Sequence, residues 1–77
     1  MNAMLEQAIE EEGSFLELVD FKWLMACLMG WRIDLSRLQR DMVYARECVQ
    51  RGLASESNLL RQRSGEMLSL LVRLGAL

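Results

Sequence analysis

Trp23 to Trp31 reads Trp-Leu-Met-Ala-Cys-Leu-Met-Gly-Trp, nine residues without a charge in a 77-residue chain that is 26 % charged. Apolar residues fall at every angular position of that stretch. A helix made from it needs cover on all sides, as the central helix of a bundle or at a subunit interface. The stretch is too short to cross a membrane: as helix it spans about 13 Å, against a hydrocarbon core of about 30 Å. Extending it back to Phe15 brings in Glu17, Asp20 and Lys22.

A chain of this length forms one domain, residues 1–77. It buries only about 60–65 % of its unfolded surface, so small proteins of this size lean on disulfides, metals or oligomerisation. Cys27 and Cys48 are the only thiols, they form no CxxC pair, and there is no His. Structural zinc therefore has almost nothing to use. Oligomerisation is the support left over. The first charges are Glu6, Glu10, Glu11 and Glu12, where a signal peptide would carry Lys or Arg. These features predict a soluble protein of a reducing cytoplasm.

There is no Pro and no run of alternating β-branched residues, so the pattern predicts an all-α fold. Asn2 opens a first helix to about Glu12, with Gly13 as its stop. Ser14-Phe-Leu-Glu17 is a capping box, starting a helix that ends at Met29 with Gly30 as a left-handed terminator. The alternative is one helix over residues 3–29 with Gly13 inside it. Asp34 caps residues 35–40, and Asp41 caps Met42–Arg51 with Gly52 as stop. Ser55 or Ser57 caps a last helix over about 56–74, ending at Gly75.

A second pattern competes with these breaks. Phe21, Leu24, Leu28, Trp31, Leu35, Leu38, Met42, Ala45 and Val49 alternate steps of three and four, as in a coiled coil. Taken literally, residues 15–52 would form one helix of about 57 Å. Gly30 and the Asp34 and Asp41 caps favour a break near residues 30–34.

Little here assembles chemistry. Catalysis needs a poised group and a partner that activates it, and no such arrangement accompanies Cys27 or Cys48. Glu10, Glu11 and Glu12 point about 100° apart on a helix and cannot converge on one cation. No enzyme and no cofactor is predicted. Residues 1–31 hold six acids and Lys22, net −5; residues 32–77 hold eight Arg and five acids, net +3. Packing of the two halves against each other, within or between subunits, accounts for that split. The alternative is an Arg face for an anionic partner, using Arg37, Arg40, Arg61 and Arg63 in a nucleic-acid-binding regulator. Interleaved acids and a pI of about 5.0 argue against it. Met25, Met29, Met42 and Met67 lie on apolar positions, where a flexible thioether fills cores or adaptable interfaces.

Phe21-Lys-Trp-Leu-Met-Ala26, Asp34, Arg37-Leu38-Gln39, Asp41, Tyr44-Ala45-Arg46 and Cys48 resemble a group of small bacterial helical proteins of unassigned function, over about half of the chain. Such sequences carry Gly in place of Cys27 and Pro in place of Met42. A Pro there suits the first position of a helix capped by Asp41. The resemblance implies the helix breaks and a bacterial source, and brings no catalytic residues with it.

The prediction is thus a small bundle of four to five helices, completed as a homodimer through the Ser14–Met29 helix and the last helix. Its core would be Phe15, Leu18, Val19, Phe21, Leu24, Leu28, Trp31, Leu35, Leu38, Val49, Leu60, Leu68 and Leu71. The interface would use Trp23, Leu24, Cys27, Leu28, Trp31, Met67 and Leu71. The expected function is protein–protein interaction, as an adaptor or regulator. Either Trp, if fully buried, would cost about 3–5 kcal/mol to truncate.

Overall fold

The computed structural model describes residues 3–77, with side chains from Phe15 onward. Four helices follow one another: α1 Ala3–Met29, α2 Leu35–Arg40, α3 Met42–Leu53 and α4 Asn58–Arg73. No strand occurs among the described residues, so the chain is all-α. The stop expected at Gly13 is not made. The backbone is helical from Ala3 through Gly13 to Met29, so the Ser14–Glu17 capping box has no helix start to cap. A single internal Gly costs about 1 kcal/mol, and the good helix formers on both sides of Gly13 outweigh it.

The predicted break at the end of α1 is made. Gly30 has φ +63, a conformation that costs an L side chain about 1–2 kcal/mol. Its N–H donates to the Ala26 carbonyl at 3.1 Å, and the Trp31 N–H reaches back to the Met25 carbonyl at 3.1 Å. The coiled-coil line is therefore not one helix. Asp34 caps α2 by accepting the Arg37 N–H at 3.1 Å. Asp41 works at two helices: its N–H donates to the Arg37 carbonyl at 2.8 Å, ending α2. Its carboxylate accepts the Tyr44 N–H at 3.1 Å, starting α3. That hydrogen bond, with Arg37 next in effect, holds the Asp41 carboxyl below the usual carboxylate range. Tyr44 Oη accepts the Asp34 N–H at 2.9 Å and so ties the first cap to α3.

Of the two serines before α4, Ser57 is the cap, accepting the Leu60 N–H at 3.2 Å. The far end closes on Gly75, φ +76. The Gly75 N–H bonds the Val72 carbonyl and the Ala76 N–H bonds the Leu71 carbonyl, the paired pattern of a Schellman turn. Gly52 was expected to stop α3, but the helix runs through it to Leu53. Its role is close approach. A Cβ on Gly52 would lie 1.9 Å from Ser64 Oγ and 3.0 Å from Ser64 Cβ. Ser64 is fully buried, and its hydroxyl donates to the Leu60 carbonyl at 2.7 Å.

α3 and α4 thus form a helical hairpin whose backbones meet at Gly52 and Ser64. α1 packs against α4, and α2 packs at the corner between α1 and α3. The buried apolar side chains are Leu18, Phe21, Met25, Ile33, Leu38, Ala45, Cys48, Val49, Leu60, Met67, Leu70 and Leu71. Leu24, Trp31 and Leu35 pack half-buried around them, and Val19 is also half-buried. Three residues expected in the core are exposed: Phe15 by 57 %, Leu28 by 51 % and Leu68 by 40 %. On α1 the buried stripe is Leu18, Phe21 and Met25, so Phe15 lies well round the helix from its centre. Leu68 lies on the side of α4 away from α1. Met67 and Leu71, expected at a subunit interface, belong to the chain's own core at 2 % and 0 % exposure.

Candidate interaction surface

The residues of α1 that the core does not use form a second line. Leu16, Val19, Trp23 and Cys27 follow one another by three, four and four residues, the spacing of one helix face. Trp23 stands two residues after Phe21, about 200° round the helix. Leu16 and Trp23 are each 61 % exposed, Val19 is half-buried, Cys27 is exposed, and Phe15 borders the line. Of the seven residues predicted for the interface, only Trp23 and Cys27 lie on this face. Leu28 is exposed on another azimuth, Leu24 packs half-buried on the core, and Trp31 folds back over the end of α1. Val19 was expected in the core, and Leu16 at neither core nor interface. The signal was present as a second apolar period beside the longer and cleaner line through Phe21.

Trp31 is held from both sides. The Arg51 guanidinium stacks on its ring at 4.0 Å, and its buried Nε1 has no regular hydrogen-bond acceptor. The Cys48 thiol lies beside that N–H and the Tyr44 hydroxyl. Burial pushes the Cys48 thiol up, and the two neighbouring donors offset this only in part. Cys48 is thus a neutral, enclosed thiol that packs as a small hydrophobe. Titration with a thiol reagent at high dilution is expected to show one fast cysteine per native chain, Cys27, with Cys48 reacting only on denaturation. Two fast thiols in the native state would mean that the Trp31–Tyr44–Cys48 cluster is open.

The predicted anion-binding arginines are mostly engaged within the chain. Arg37 Nε lies 3.1 Å from Asp41 Oδ2, with the guanidinium 4.4 Å over the Tyr44 ring. Arg61 donates to the Ser55 carbonyl at 2.7 Å and to the Asn58 side chain. Arg63 joins α4 to α1, with Nε 3.2 Å from Asp20 Oδ2 and Nη1 2.9 Å from Glu66 Oε1. Arg40 alone of the four has neither an ion pair nor a side-chain hydrogen bond among the described residues. The ion pairs of Arg37 and Arg63 are exposed and each contributes little to stability, yet with the Arg61 hydrogen bonds they orient three of the four guanidinium groups toward partners of their own.

Depressions lined wholly by described residues include two beside the helices. One, of about 260 Å³, lies between α1 and α4 over Met67, with Glu17, Asp20, Arg63 and Glu66 around it. The other, of about 330 Å³, runs along the side of the α3–α4 hairpin away from α1. Val49, Leu53, Leu68, Val72 and Leu77 line it, and Arg46 is its one charged lining residue. Among the described residues no three His, Cys, Asp or Glu gather as metal ligands, and no helix is long and apolar enough to cross a membrane. Comparison with protein-family models, with curated proteins and with solved structures finds no match to this chain.

Proposed function

We propose that this chain is a small interaction module that self-associates, in its simplest form as a homodimer, with the outer line of α1 as its anchor. The observation that carries this reading is Trp23, 61 % exposed at the middle of a continuous apolar line on a described helix face. A large aromatic ringed by smaller apolar side chains is the usual anchor of a protein interface. The line and Phe15 together offer on the order of 400–500 Å² per copy, since each aromatic buries about 150–250 Å² when fully covered. A standard interface takes about 800 Å² from each partner. The line is therefore enough for an anchor, and a further surface must complete the contact.

Trp23→Ala separates this role from a structural one. Truncating so exposed a ring should change the stability of the monomer by less than about 1 kcal/mol. The same substitution should lower the mass measured by light scattering toward that of one chain. A wild-type chain that stays folded and monomeric up to millimolar concentration would overturn the proposal.

A further inference from the structure

We propose that the α3–α4 groove is the receptor for the outer line of α1 of a second copy, so that chains associate head to tail; this rests on the self-association reading above. The hairpin has two flanks with a shared floor. α1 fills one of them, placing Phe21 against the Gly52–Ser64 crossing. The other flank is floored by buried Val49 and walled by Leu53 and Leu68, each 40 % exposed, and by Val72, 56 % exposed. That flank is lined mainly by apolar side chains and no described helix covers it.

Charge selects α1 as the occupant, and length and area allow it. From Leu16 to Cys27 the outer line runs about 17 Å, and the groove is lined on α3 from Arg46 to Leu53, about 11 Å, so it takes about two turns of the line centred on Trp23. Glu17 and Asp20 flank the line, within a segment of net charge −5, whereas residues 32–77 carry +3. Arg46 at the groove has no ion pair among the described residues. Seating α1 in the groove sets an acidic helix on a basic hairpin. Seating α1 on the α1 of another copy sets −5 against −5. The exposed groove walls match the line with a comparable area, so the contact buries roughly 800 Å² in total over both copies, half of a standard interface and in the range of a weak, transient contact. The line lies on α1 and the groove on α3 and α4, so they are separate, non-overlapping surfaces of the same molecule. A contact between them is heterologous and builds an open chain or a ring rather than closing at two.

Three readouts test this on the whole chain. Light scattering should show a mass that keeps rising with concentration past two chains, and association should weaken as salt is raised, because opposite charges are screened. Arg46→Glu should weaken association about fivefold. The exposed positions Val72 and Leu53 lie toward the two ends of the groove, so in either helix direction one of Val72→Cys and Leu53→Cys should pair with Cys27. Mild oxidation would then give interchain disulfides between Cys27 of one copy and the introduced thiol of the next. A mass that stops at two, association that strengthens with salt, and only Cys27–Cys27 links would overturn the groove while leaving self-association intact. A folded monomer at every concentration and salt would overturn both.

Discussion

Phe21→Ala is expected to remove about 3–5 kcal/mol of stability, out of a total on the order of 4–12 kcal/mol for a domain of this length. Phe21 is 1 % exposed and lies where α1 meets the hairpin, its ring edge 3.4 Å from where a Gly52 Cβ would stand. Among the described side chains of α1, Leu18 and Met25 share its buried stripe, and the substitution removes the largest of these three. The deletion forfeits both the transfer free energy of the ring and the contacts of its lining. Urea unfolding followed by helical circular dichroism should show a midpoint lowered by about a quarter or more. A loss below about 1.5 kcal/mol would mean that α1 is held on the bundle by something other than this stripe.

Gly52→Val is expected to cost about 2–4 kcal/mol, from the opposite fault of overfilling. Helix propensity alone favours the change slightly, since Val is a better helix residue than Gly. Sterics decide against it. Ser64 Oγ would lie 1.9 Å from the new Cβ, and rotating the hydroxyl away leaves Ser64 Cβ at 3.0 Å and breaks the 2.7 Å bond to the Leu60 carbonyl. The two helices must therefore move apart, opening the floor made by Ala45, Val49 and Leu71. Combining Gly52→Val with Ser64→Gly should recover part of the loss, although Ser64→Gly alone is destabilising. Thermal unfolding of the four members of this cycle measures it. Strict additivity of the two substitutions would show that the helices do not touch there.

Sequence reasoning located most of the helix ends because those ends are set locally. Gly30, Asp34, Asp41, Ser57 and Gly75 each act through their own backbone conformation or through a side chain bonded three residues on. Two glycines misled it. Gly13 resembles a stop, but nothing beside it supplies a competing conformation strong enough to interrupt α1. Gly52 resembles a stop as well, yet its function depends on Ser64, twelve residues away on another helix, and no local pattern shows that pairing. The core was legible where one stripe dominated, at Leu18, Phe21, Leu38, Val49, Leu60 and Leu71. It was less legible on α1, whose apolar residues run all the way round. There the facing helix selects Met25 over Leu28, and the rest of the circumference is left for other contacts. The outer line of α1 follows from the same ambiguity: one helix carries two apolar faces, and only the folded chain shows which of them is spent internally.

The opposite fates of the two tryptophans have a spectroscopic consequence. Trp31 lies half-buried under Arg51 and beside Cys48, an environment that exists only when the end of α1 has folded over α3. Trp23 faces outward, and its surroundings change only when another molecule arrives. Trp31 emission in a Trp23→Phe chain is therefore a gauge of folding, and Trp23 emission in a Trp31→Phe chain is a gauge of association. The protein carries an intrinsic probe for each equilibrium, and the two can be followed separately without an added label.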